Sequence, residues 1–398
     1  MNHRVVTVAR CLSALGLLIT SGCRDAPASE GANADAHREV LASVADNVII
    51  PLVTEFEAAS KSLQTATEAY ATEPTTTQRE AVQAAWQSAM DVWQQLELLQ
   101  VGPAGLMGQV AGGENLRDAI YSWPVVNTCR VDQETARRGY EADLATALAN
   151  VRGLDALEYL LFTEGAEHTC SAGSAFATGG EWEAIGDADA VVAQRASHAL
   201  ALATELHRSA AALAAAWGPG AEDSFRDKFA LAGRDKRVYG TAQEALNALS
   251  DAMFYLEKET KDMKLALPAG VIPCTVQADC VESRESRYAN RSKNHIITNL
   301  KAFRRVFLGG AAASDIGLDD LLEAMGQGEL ARRLDEEMAA AIGAMESLPG
   351  TLAEAVSNAP DEVVAAYDTV RIPVQTFRTE VLSLLDLELP QRAEGDND

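Results

Sequence analysis

The chain has 398 residues, with 58 acidic against 33 basic side chains and a formal charge of −25. At about 100 to 200 residues per domain this is enough for one large or two medium cores, so no disulfide-held miniature fold is required. The acidity argues against a nucleic-acid partner. At the N-terminus, Arg4 and Arg10 precede an apolar run, Cys11 to Ile19, and the small residues Ser21 and Gly22. That order is an export signal, residues 1–22, and its apolar run is too short for a membrane helix, which needs roughly 20 residues. Loss of the signal removes two arginines and no acid, taking the net charge to −27.

Ile19-Thr20-Ser21-Gly22-Cys23 resembles a bacterial lipobox, in which the cysteine is acylated and becomes the mature N-terminus; Thr20 stands where Leu is commoner. The expected location is the cell envelope, tied to the membrane through the lipid on Cys23. Arg24 in the next position favours the outer membrane over the inner. Residues 23–36, small and polar, read as a flexible tether.

Beyond residue 36 the pattern is helical. Leu41, Val44, Val48, Leu52, Phe56, Leu63 and Tyr70 recur at helical spacing, with Pro51 expected to kink the helix. Thr75 to Thr77 offer an N-cap for a second helix carrying Val82, Trp86, Ala89, Trp93 and Leu96, stopped by Gly102-Pro103. Residues 133–162 read as helix with an interruption near Gly153, and 165–186 as a loop. A stripe from Ala196 to Trp217 follows, and further helices are expected over 237–265, 282–308, 315–347 and 359–387. No alternating strand pattern appears. The fold class is therefore all-α, two packed helical bundles over 37–217 and 218–390, followed by an acidic tail, 391–398. Two echoes inside the chain fit a pair of bundles: Gly153 to Phe162 aligns with Asn299 to Leu308, and Ile50-Pro51-Leu52 with Ile372-Pro373-Val374.

With Cys11 removed and Cys23 acylated, four cysteines remain, and an oxidising compartment favours two disulfides. Cys274 and Cys280 flank a short loop and should pair locally, leaving Cys129 with Cys170. A straight helix over 133–162 would be about 45 Å long. Its flanks reach back only about 35 Å, whereas a disulfide holds its two Cα atoms within about 7 Å. The helix must bend, most cheaply at Gly153.

Four separated segments resemble the imelysin family, whose members are also grouped as peptidases and as iron-regulated envelope proteins. They are Ala85-Trp86 with Trp93, Glu97 and Gly102-Pro103; Trp123-Pro124 with Cys129 to Asp132; Gly153 to Phe162; and Glu285 to Ser292 running on to Asn299-Leu300. The resemblance implies two helical bundles around a central site and a link to iron-uptake components. The family motif Gly-x-His-x-x-Glu, read as a metal site, is matched here by Gly153, Asp155 and Glu158, with Asp in place of His. Residues three apart share a helix face, so Asp155 and Glu158 can reach one ion. An oxygen-only pair favours a divalent ion such as iron, manganese or calcium over zinc. By the same resemblance Glu97, Glu114 and Asp118 are candidates for further ligands, and Ser286 and Arg287 face the same region.

A rival reading needs no metal: the internal repeat sets Lys301 and Arg304 opposite Asp155 and Glu158, and the four could form an ion network. Of the histidines, His198 and His207 are too far apart to share an ion, and His168 and His295 read as structural. No His-Glu-x-x-His or Gly-x-Ser-x-Gly arrangement is present, so the peptidase chemistry has no support in the residues. The expected function is a non-catalytic, lipid-anchored protein binding a metal ion or complex between the bundles. The alternatives are a metallopeptidase, or a scaffold that has lost the metal site.

Overall fold

A computed structural model describes residues 33–220, 222–274 and 280–389. The expected export signal, 1–22, Cys23 and the expected acidic tail, 391–398, lie outside the described residues. Helix α1 (Ala34–Val44) already covers the end of the expected tether. It runs through a π-helical turn, Ala45–Ile49, into α2 (Ile50–Thr72). Pro51 has no N–H to give the carbonyl four residues back. That carbonyl, Asn47 O, accepts instead from Arg305 Nη2 at 2.8 Å. The expected irregularity at Pro51 is thus answered from the far end of the sequence.

Thr75 caps α3 (Thr76–Leu96), its side chain accepting from Gln78 N. After a short α4 (Leu116–Ile120) comes α5 (Thr128–Arg137), which stops at Arg138 in the left-handed region, φ 55°. Three 3-10 turns then fill 139–151, and α6 (Gly153–Phe162) follows. The single helix expected over 133–162 is therefore two helices. The break near Gly153 is present, but it extends back to residue 138. Tyr140, Leu144, Leu148 and Val151 keep helix-like spacing in a segment that is not a helix. Both expected disulfides form: Cys129–Cys170 with Cα atoms 4.5 Å apart, and Cys274–Cys280 with 5.6 Å.

The remaining elements are α7 (Ala175–Gly179), α8 (Ala188–Trp217), α9 (Phe225–Ala230), α10 (Ala242–Met253), a π-helical segment Leu256–Ala266, α11 (Ser292–Phe307), α12 (Leu318–Ala324), α13 (Gly328–Ser347), α14 (Leu352–Asn358), α15 (Pro360–Thr376), a π-helical turn Phe377–Val381 and α16 (Leu382–Leu384). No strand occurs among the described residues, which hold one isolated bridge, Ala232 to Asp235.

One bundle packs α2 against α3 and α8, with α6 against α3 and α8; the other groups α11, α13, α15 and the π-helical segment. Helix α1 packs against α9, α10 and α12, so the second bundle takes its first helix from the N-terminal end of the chain. The two share one apolar core running from Val40 to Leu387. Helix α3 is shared between them, touching both α6 and α11. The repeat-related segments 153–162 and 299–308 therefore lie on helices that touch the same helix.

Candidate functional site

Helix α6 is held so tightly that its orientation is fixed. Residues 153 to 161 are all buried, and the Trp86 indole N–H donates to Leu154 O at 2.8 Å. Gly153 has φ +87°, and a Cβ there would lie 2.7 Å from Ile120 O. Only glycine enters this turn without strain. The constraint aims Asp155 and Glu158 into the centre, 5% and 4% exposed.

Both carboxyls meet neutral donors. Asp155 Oδ2 accepts from Ser122 Oγ at 2.9 Å, and Oδ1 accepts from Ala156 N at 3.0 Å. Glu158 Oε1 accepts from Ser286 Oγ, Tyr288 N and Ala289 N at 3.2, 2.9 and 2.9 Å. None of these contacts reaches Glu158 Oε2. Burial pushes each acid up to about 7, outweighing the hydrogen bonds that favour the anion.

A second set of charges lies alongside. Lys264, from the π-helical segment, is fully buried with Gln94, Glu97, Glu285 and Asn299. Its ammonium lies 2.7 Å from Gln94 Oε1, 3.1 Å from Glu97 Oε2, 3.0 Å from Asn299 Oδ1 and 3.0 Å from Glu285 Oε1. Arg117 pairs with Asp118 at 3.0 Å and Glu97 at 3.5 Å, and donates to Trp123 O. The Tyr121 hydroxyl donates to Glu285 Oε1 at 2.7 Å, and His295 Nδ1 lies 3.1 Å from Glu285 Oε2. Burial raises the Glu285 carboxyl, but Lys264 and His295 outweigh it and hold the group well below the usual carboxylate range. Tyr255 Oη, Trp93 Nε1 and His295 Nε2 are buried without a hydrogen-bond partner among the described residues.

Of the residues singled out in the sequence, Ser286 donates to Glu158, and Glu97, Asp155 and Glu158 all act electrostatically on the Tyr121 hydroxyl. The structure does not bring Lys301 or Arg304 to them. Lys301 pairs with Glu346 at the surface, and Arg304 with Asp335 at 2.5 Å. The four-residue ion network is therefore corrected: the repeat aligns the helices in sequence, but α11 turns this face outward. Arg287 lies at the rim with its guanidinium over the Tyr288 ring, 4.7 Å from the centroid. Glu114 is exposed. His198 is buried against Thr135 and Tyr140, and burial lowers it to about 3; His168 lies among Phe176 and Trp182. Trp86 and Trp93 are core residues, packed on Phe162 and Phe56.

Sequence reading missed Lys264, Gln94 and Tyr121 and gave Glu285 and Asn299 no role. Gln94 beside the buried Trp93 was the one available signal. As a metal site, Asp155 and Glu158 have the right hard oxygens but do not make a shell alone. No group of three or more His, Cys, Asp or Glu side chains suited to a metal occurs among the described residues.

Comparison with known proteins accords with this architecture. Iron-regulated protein A of Synechococcus elongatus is 22% identical over 351 residues, covering 87% of this chain and 83% of that one. An imelysin-like protein from Psychrobacter arcticum superposes with a TM-score of 0.66 at 15% identity, over 90% of this chain and 98% of that one. A candidate iron-regulated protein A precursor from Parabacteroides distasonis gives 0.62 at 16% identity, over 86% and 95%. The family model for imelysin, peptidase M75, matches residues 50–373, and the chain belongs to that family.

Proposed function

We infer that this is an exported, lipid-anchored, non-catalytic envelope protein with an iron-linked role, holding a metal complex or partly hydrated cation at Asp155 and Glu158. One observation carries the reading. Glu97 and Glu285 face Lys264, whereas Asp155 and Glu158 hydrogen-bond only to neutral donors among the described residues. A cation entering on the α6 side would add to the positive charge that Arg117 already brings to bear on Asp155, and would meet Glu158 Oε2, which has no donor among the described residues. With only two carboxyls to offer, the protein would leave most of the coordination shell to water or to ligands the metal brings with it. The name of the Synechococcus relative supports the link to iron, and the export signal and Cys23 support the envelope location.

Titration calorimetry with iron, manganese, calcium and zinc tests this on the mature protein and on a variant carrying Asp155→Ala and Glu158→Ala. Binding of a hard divalent ion that disappears in the variant is expected. Binding that is absent, or unchanged in a folded variant, overturns the reading and leaves a scaffold whose central carboxyls only join the bundles.

A further inference from the structure

Four oxygens surround the Lys264 ammonium at 2.7 to 3.1 Å: two amide oxygens, Gln94 and Asn299, and two carboxylate oxygens, Glu97 and Glu285. An ammonium has three N–H bonds, so four oxygens at near-equal distance surround it as they would a spherical ion. Hard oxygen donors carrying two negative charges are the set a divalent cation of the calcium or manganese type prefers.

The cage is also built in advance. Gln94 Nε2 donates to Glu97 Oε2 at 2.9 Å and Glu285 Oε1 at 3.1 Å, which turns Gln94 Oε1 inward. Asn299 Nδ2 donates to Gln94 O at 2.7 Å, which aims Asn299 Oδ1 at the same point. The rings of Tyr255 and Trp123 close the remaining sides, with centroids 5.1 and 5.7 Å from the ammonium. The donors come from α3, α11, the loop before α11 and, for the lysine itself, the π-helical segment.

We propose that Lys264 is a tethered cation plugging a four-oxygen cation cage, so that removing its side chain uncovers a site for ammonium or a hard divalent ion. The cage uses neither Asp155 nor Glu158, so it stands or falls separately from the α6 site. It also gives a reason for a metal to enter on the α6 side: the better oxygen cage is already filled by the protein.

The test is chemical rescue of Lys264→Ala in the full mature chain. Ammonium or ethylammonium chloride should raise its melting temperature by several degrees over tetramethylammonium chloride at equal ionic strength, with no such difference in the wild type. By electron paramagnetic resonance the variant should take up one equivalent of Mn²⁺ beyond the wild type, and adding Glu97→Gln should abolish it. Lys264→Met, whose stem still fills the space, should be destabilised without rescue. If Lys264→Ala is recovered only unfolded, refolding in ethylammonium should outperform refolding in tetramethylammonium. Equal response to the two cations with no extra Mn²⁺ in folded Lys264→Ala, or equal refolding yields, overturns the proposal.

Discussion

The two sides of the bundle junction neutralise buried acids in different ways. On the Lys264 side, Glu97 and Glu285 pair with the buried Lys264, with Arg117 behind Glu97, and Lys264 and His295 hold Glu285 well below the usual carboxylate range. On the α6 side, Asp155 and Glu158 hydrogen-bond to serines and backbone N–H groups, and burial pushes both up to about 7. A charge pair in a dry interior depends on both partners, whereas a carboxyl bound by neutral donors can also exist as the acid. The first side is therefore a fixed joint between bundles, and the second is the side that can exchange a proton or accept a cation.

The largest expected effect breaks the fixed side. Lys264→Met leaves Glu97 and Glu285 buried without their ammonium and should cost about 3–5 kcal/mol in urea unfolding. Asp155→Asn with Glu158→Gln should cost about 1 kcal/mol or less at pH 5, because these amides resemble the neutral acids. Equal losses would abolish the distinction between the sides.

The pH dependence should fall on the α6 side. Asp155 and Glu158 sit at about 7 in the folded chain against ordinary values of 3.8 and 4.5. Between those limits the folded state holds more protons than the unfolded one. Their contribution is thus fully present below about pH 4 and is lost as pH rises through 7. Measured against Asp155→Asn with Glu158→Gln, the wild type should lose on the order of 5 kcal/mol between pH 5 and pH 8, about half from each acid. A flat difference across that range would show that both acids are already ionised at pH 5.

Gly153→Ala tests how α6 is aimed. Its Cβ would press on Ile120 O at a φ of +87°, for a loss of about 2 kcal/mol in denaturant unfolding together with weaker cation binding. At the small end, Lys301→Ala should change stability by less than about 1 kcal/mol, since its partner Glu346 is as exposed as it is. A larger loss would return Lys301 to the centre.

Most of the fold was legible because amphipathic helices announce their buried stripe. The stripe on α2, the Thr75 cap and both disulfides follow from spacing, capping chemistry and pairing rules. Residues 138–152 were misread since Leu144, Leu148 and Val151 keep helical spacing without a helix. The carboxyls on α6 were legible from Gly153, Asp155 and Glu158. Lys264 was not, because a lysine in a helical pattern reads as a solvated position, whereas the π-helical segment buries it together with Glu257, Lys261 and Asp262. Nor could spacing show that Lys301 and Arg304 point outward, since that is set by how α11 packs on α3 and α13.

The difference between the two sides is measured most directly by a carbon-13 titration of the side-chain carboxyls in metal-free protein from pH 4 to 9, assigned by Asp155→Asn, Glu158→Gln and Glu285→Gln. The account predicts two resonances titrating near pH 7, lost in Asp155→Asn and Glu158→Gln, with the Glu285 carboxyl ionised throughout. Asp155 and Glu158 already ionised at pH 5, or Glu285 titrating with them, would contradict it.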